Sequence, residues 1–292
     1  MPTAVARLAV LAVLVFACSA ARADEVSEKQ KKLAAANLKQ AEVQLFATVE
    51  TDDLILAATL PDEKAKALSA QLQKSYLMAR KVLQYDDKEK PWTGKLTVYF
   101  ITESKLFKNF MRTVIGESPR DTEYFINLKG DAPFVLVLGD VSTPLNEPES
   151  YGEAAALVAT ATFNAKHGSG IGIPDWAKLG FGRAVSLRAD NPASKRVTSY
   201  KTRAKATVVG SSAKPGARMA DVWDGGGRDL AISFMDFLAF GPKAMDFPKA
   251  VNALKPGENG QAAALPMSLE MALTWKAPDM EAAWKKWVQS GK

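Results

Sequence analysis

An α+β fold, a small mixed sheet with helices followed by a mainly helical C-terminal half, is predicted by three observations. Val-, Ile-, Leu- and Phe-rich runs of strand length are confined to residues 45–138, whereas from residue 150 onward apolar residues recur at helical spacing. Turn signals at Thr51-Asp52 and Lys129-Gly130-Asp131 and a polar loop over Asp86–Gly94 separate the runs. The composition, 47% hydrophobic and 24% charged, is that of an ordinary packed chain and excludes a collagen, a disordered tail and a disulfide-dense miniprotein.

Taken in order, residues 24–42 are charged and Ala/Gln-rich and read as a mobile lead-in or an exposed helix. Leu45–Glu50 and Asp53–Ala58 read as a hairpin turning near Thr51-Asp52. Thr59-Leu60-Pro61 opens a helix whose Ala65, Leu68, Leu72, Tyr76, Ala79 and Leu83 recur at three and four residues. Lys95–Thr102 is a strand, Thr102–Val114 a helix, and Tyr124–Leu128 and Phe134–Leu138 two further strands. A loop is expected over Thr143–Pro148. Ser150–Ala165 is apolar nearly all round and reads as a buried helix. Helices follow at Pro174–Arg188, after Gly225-Gly226-Gly227, at Lys243–Leu254, at Ser268–Leu273 and at Asp279–Gln289. In the last of these Met280, Trp284 and Trp287 form the inward face. Residues 190–220 are polar and basic, with no assigned element.

The first 23 residues read as an address. Arg7 is a short basic region, Leu8–Ala21 is too short an apolar stretch to span a bilayer, and Ala21-Arg22-Ala23 is an A-x-A cleavage signal. Cleavage after Ala23 yields a periplasmic or secreted chain. A lipoprotein anchored through Cys18 is the less favoured reading, because Phe16 fits a lipidation signal poorly. No further segment is long and apolar enough for a stable membrane span. The domain reading is therefore a signal peptide over 1–23, a lead-in over 24–42, an α/β subdomain over 43–149 and a helical subdomain over 150–292.

The chain holds one Cys and one His, with 38 Lys plus Arg against 32 Asp plus Glu, for a net charge of +6. Cleavage removes the only cysteine, so the exported chain has no disulfide and stands on its core. A single histidine excludes zinc sites built on two.

Three stretches carry a family resemblance. The first is Asp62–Leu83 followed by KLTVYFITESKLFKNFM. The second is Ile173-Pro174-Asp175-Trp176-Ala177-Lys178-Leu179-Gly180-Phe181-Gly182-Arg183-Ala184. The third is DLAISFMDFLAF from Asp229, with the closing Ala282-Ala283-Trp284-Lys285-Lys286-Trp287. In their order these resemble the peptidase MA-like domains, zinc metallopeptidases of the gluzincin group, over most of residues 43–290. The resemblance implies a zincin-like fold with a zinc-binding H-E-x-x-H helix and a third ligand from the Glu of W-L-x-E-G. Two His four apart on a helix grip one ion, and the Glu between them activates the bound water. This chain departs from that pattern at every such position. Leu179 stands at the third-ligand position, and Ala154–Phe163 contains neither His nor Glu. No catalytic residue, metal ligand or cofactor is assigned on these grounds.

The expectation is thus a pseudoenzyme: an exported, non-catalytic peptidase-like module that binds a peptide or protein partner or acts as a scaffold. One alternative is a metal-independent hydrolase in the same cleft, with Glu153, Asp175 and His167 the nearest acid/base groups. Another is binding to an anionic envelope polymer through the basic stretch Arg183–Arg218. That stretch has Lys195, Arg196, Lys201, Arg203 and Lys205 at its centre, and Asp190 is its one acid. The ordinary reading of such a stretch is a solvated surface. Ser211-Ser212-Ala213-Lys214, Gly168–Gly172 and Asp224–Arg228 match catalytic or anion-binding patterns only formally and read as loops.

Overall fold

Hydropathy decides which strands lie in the middle of the sheet. The computed structural model describes residues 25–118, 122–168, 172–211, 214–257 and 259–291. The first 24 residues, with the expected signal peptide and Cys18, lie outside them. The continuous apolar runs β2 (Leu54–Ala58) and β3 (Leu96–Ile101) are buried along their whole length. With β5 (Phe134–Leu138) they form the parallel centre of a five-stranded mixed sheet, in the order β1-β2-β3-β5-β4. Parallel strands covered on both faces read as unbroken apolar runs. The more polar β1 (Ala47–Glu50) and β4 (Tyr124–Asn127) are antiparallel edges. The register sets Leu56 beside Val98 and Val98 beside Val135.

Of the described residues, those up to Ala65 form one compact unit with Trp92–Leu138. Lys66–Pro91 and the residues from Gly139 onward form the other. The two units interleave along the chain.

In the first unit, Ala57, Tyr99, Ile101 and Leu136 point to one face of the sheet. There they meet helix α1, over residues 25–40, and Phe107 and Phe110 of α3 (Ser104–Phe110). The 24–42 segment is therefore neither mobile nor simply exposed: Gln30, Ala34 and Leu38 are buried. Gln30 fixes it, donating from Nε2 to Lys95 O at 3.0 Å and accepting from Lys95 N at 2.9 Å. Glu50 on the edge strand accepts from Ser27 Oγ at 2.5 Å and pairs with Lys31 at 2.9 Å and Lys95 at 2.7 Å. Composition concealed this docking because the buried stripe is short and partly polar. Helix α3 continues into a wider π turn at Met111–Ile115, closed by Gly116 at φ 79°.

Helix α2 (Asp62–Val82) has its predicted stripe, Ala65 to Leu83, buried throughout. In the second unit α4 (Asn146–His167) begins within the expected 143–148 loop, and every residue from Tyr151 to Phe163 except Glu153 is buried. Next come α5 (Asp175–Ala189) and α6 (Lys195–Val208). Helix α6 supplies an element for 190–220, to which the sequence assigns none: Ser194 Oγ caps it by accepting from Val197 N, and Val197, Ala204 and Val208 face inward. A two-residue pair, β6 (Gly210–Ser211) and β7 (Lys214–Pro215), follows. Then come α7 (Ala220–Trp223), α8 (Arg228–Phe240), α9 (Phe247–Ala253), α10 (Met267–Leu273) and α11 (Ala277–Ser290).

The core of this unit is aromatic. Phe181 stacks on Phe247 at 5.4 Å, and Phe234 meets Trp284 edge-on at 5.5 Å. Met280 and Trp284 are fully buried, as their spacing predicts, while Trp287 is only half-buried. Among the described residues no helix is long and apolar enough to cross a membrane.

Candidate functional site

Helices α4 and α5, which carry Ala154–Phe163 and Leu179, pack antiparallel through small residues. Thr160 Oγ1 donates to Ala156 O at 2.9 Å and to Lys178 O at 3.3 Å. Ser186 Oγ donates to Gly152 O at 2.6 Å. At Gly182 a Cβ would stand 2.1 Å from Thr160 Oγ1 and 2.3 Å from Ala156 O. A zinc ion needs side-chain donors about 2.0–2.3 Å from its centre, and here the backbones themselves are in contact. Leu179 is half-buried on α5. Among the described residues no three His, Cys, Asp or Glu side chains converge.

The three groups considered for metal-free acid/base work do not assemble as a set. Glu153 is clamped by Arg183, whose Nη2 and Nε donate at 2.6 and 3.1 Å, and by Arg228 at 2.8 Å. Burial works to raise its pKa, but the Arg183 hydrogen bonds and charge outweigh burial and hold the carboxyl below the usual carboxylate range. His167 ends the same helix, fourteen residues on. At a rise of 1.5 Å per residue that is roughly 21 Å away, beyond any shared proton. Its ring lies 4.8 Å from Phe163. Burial, then the charges of Lys255 and Lys166, push it down to about 4. Asp175 is exposed at the start of α5 and pairs with Lys178 at 2.7 Å.

The basic stretch is dispersed by folding. Five of its arginines take acids, most of them from other elements. Arg183 pairs with Glu153 and Arg188 with Asp236, Arg203 with Asp229 at 3.0 Å, and Arg218 with Asp221 at 3.0 Å. Arg196 is not a surface residue. It is 7% exposed, donates to Ser186 Oγ at 2.9 Å and pairs with Asp190 at 3.3 Å. Its guanidinium fills the space a side chain would take at Gly152. Lys201 donates to Gly291 O at 2.6 Å. Lys195 and Lys205 are exposed. Ser212 and Ala213 of the formal S-x-x-K, and residues 169–171 of the glycine-rich turn, lie outside the described residues.

Where α6 meets α5, α8 and α11, a pocket of about 150 Å³ opens. Val197, Ala204, Val288 and Trp287 supply apolar lining, and Arg188, Asp236, Tyr200 and Lys201 supply polar lining. Arg188 Nε and Nη2 each donate to Asp236 at 2.6 Å, a bidentate pair, and Trp287 Nε1 donates to the same carboxylate at 2.8 Å. The Arg188 guanidinium sits 5.3 Å from the ring centres of both Trp287 and Phe240. Burial, then the charges of Asp236 and Asp229, push the Tyr200 hydroxyl well above its usual value, so it stays a donor.

No protein-family model matches the chain, and no curated protein matches it.

Of the pocket's polar groups, Arg188, Tyr200 and Lys201 fall within the stretch that charge counting singles out. Asp236 and Trp287 escape it. Their signal is present nonetheless: Asp236 is the one acid inside the apolar face of DLAISFMDFLAF, and a carboxylate in such a place requires a partner. Sequence spacing does not identify that partner, because Arg188 lies 48 residues away.

Proposed function

We propose that this protein is an exported, non-catalytic relative of the gluzincin-type metallopeptidases that works by binding a peptide or protein partner. The observed order of hairpin, helix, strand, helix, strand pair, buried helix and I-P-x-W helix supports the resemblance, being the order on which it rests. One observation carries the loss of catalysis. At the α4–α5 contact Gly182 touches the Ala156 carbonyl and Thr160, and the half-buried Leu179 of α5 stands where the resemblance implies a carboxylate. A side chain of that type fills space and coordinates nothing. The nearest acid, Glu153, is engaged by two guanidiniums and is a poor general base. Export rests on the N-terminal 23 residues as read from the sequence.

The test is metal content and cleavage. The full chain, produced with its own N-terminal segment, is purified, dialysed against zinc and then against buffer, and analysed for metal and for cleavage of a peptide library. Zinc well below one per chain with no cleavage is the expected result. One retained zinc per chain, or cleavage abolished by a chelator, overturns the reading.

A further inference from the structure

The pocket between α5, α6, α8 and α11 has a construction that stability alone does not explain. An ion pair removed from water contributes little net stability compared with apolar residues of the same volume. Here a partly buried pair is held by several contacts: both ends of the Asp236 carboxylate accept from Arg188, a third donor comes from Trp287, and Arg188 lies 5.3 Å from the centres of two aromatic rings. The pair orients the Trp287 ring along the pocket and cancels its own charge. Among the described lining residues the remaining charge is the Lys201 ammonium, which donates to Gly291 O at 2.6 Å, and the Tyr200 side chain also lines the pocket. The site is thus a largely apolar slot whose lining adds the Lys201 ammonium and the Tyr200 hydroxyl. Its volume suits one ring, since a cavity of about 150 Å³ holds a benzene molecule.

We propose that this pocket binds a carboxylate attached to a single aromatic or branched apolar group. The apolar group lies along Trp287, Val197 and Ala204, and the carboxylate accepts from Lys201 and Tyr200. A free small acid and the C-terminal residue of a peptide share this chemistry. The inference does not depend on the peptidase resemblance: a zinc-loaded, peptide-cleaving protein would end that reading and leave this one standing.

The test is calorimetric titration of the full chain with hydrocinnamate, hydrocinnamamide and propionate, and with Gly-Gly-Phe bearing a free or an amidated C-terminus. Hydrocinnamate is expected to bind at one site. Its amide should bind about tenfold more weakly, as for a lost charge-assisted hydrogen bond. Propionate should lose at least about tenfold through the missing ring. Lys201→Met should remove the preference for acid over amide while leaving the amide's affinity unchanged. Ala204→Leu, which narrows the slot, should weaken both ring-bearing probes. Should Ala204→Leu fail to fold, the rim substitution Lys201→Met decides alone. Gly-Gly-Phe binding more tightly than hydrocinnamate assigns the site to a peptide terminus, and equal or weaker binding to a free acid. Absence of hydrocinnamate binding, equal affinity for acid and amide, or an unchanged preference in Lys201→Met overturns the proposal.

Discussion

Gly182 of α5 lies against the carbonyl oxygen of Ala156 in α4, so close that a Cβ at residue 182 would stand 2.3 Å from that oxygen. Backbone cannot yield as a side chain can, so Gly182→Ala must push the two helices apart. The expected cost is about 2–3 kcal/mol, the upper part of the overpacking range. Thr160→Ala removes the nearest side-chain atom but leaves the Ala156 carbonyl in place. The double variant should therefore recover little of the loss. Denaturant unfolding of the three variants checks this, and full rescue by Thr160→Ala would show that the side chain alone limits the approach.

His167 offers a direct titration, because it is the only histidine in the chain. Its folded pKa, about 4, lies below the ordinary 6.5, since burial and then Lys255 and Lys166 disfavour the charged ring. A lowered base contributes stability above its unfolded pKa and loses it as pH falls from 6.5 towards 4. The single imidazole resonance in a proton NMR titration should move with a midpoint near 4. A midpoint near 6.5 would place the ring in water.

Glu50 ties α1 to the edge strand. Burial works to raise its pKa, yet hydrogen bonds from Lys95, Ser27 and Lys31 outweigh burial and lower it from 4.5 to about 2. Its contribution is fully present above pH 4.5 and is lost as pH falls through that interval. Because the side chain is about a third exposed, Glu50→Gln should cost only about 1 kcal/mol at neutral pH. The gap between wild type and variant should close towards pH 2. Hydrogen exchange in residues 25–40 should quicken in the variant at neutral pH, and unchanged protection there would dissociate Glu50 from the docking of α1.

Arg188 and Asp236 should prove more costly to separate than to replace together. Asp236→Asn removes the bidentate counter-charge from Arg188 and weakens the Trp287 bond, for an expected loss of about 2–3 kcal/mol, reduced from the fully buried case by partial exposure. Arg188→Met combined with Asp236→Leu should lose less than either single change. A double-mutant cycle by chemical unfolding measures the coupling, and strict additivity would mean the pair is not coupled.

Much of the chain was legible before folding was considered. Buried parallel strands announce themselves as unbroken apolar runs, and the α2 stripe from Ala65 to Leu83 emerges at the predicted spacing. The docking of α1 and the existence of α6 were not legible, for a common reason. Each buries only a narrow stripe, Ala34 and Leu38 in one and Val197, Ala204 and Val208 in the other, among many charges. Charge counting likewise could not place the cations of 183–218. Counted along the chain, Arg196 looks like surface. Folding sets it 7% exposed against Gly152, with Asp190 and Glu149 beside it.

By itself the sequence determined the α+β class, the position of the buried helix and the absence of carboxylate and imidazole from Ala154–Phe163, because these depend on local periodicity and residue identity. Tertiary structure alone decided that Arg188 meets Asp236 across 48 residues, that Glu153 is spent on two arginines, and that a slot opens beside Trp287. The physical reason is that an ion pair or a cavity is a relation between distant segments. Hydropathy along the chain carries the direction a side chain faces, but not which partner it meets there.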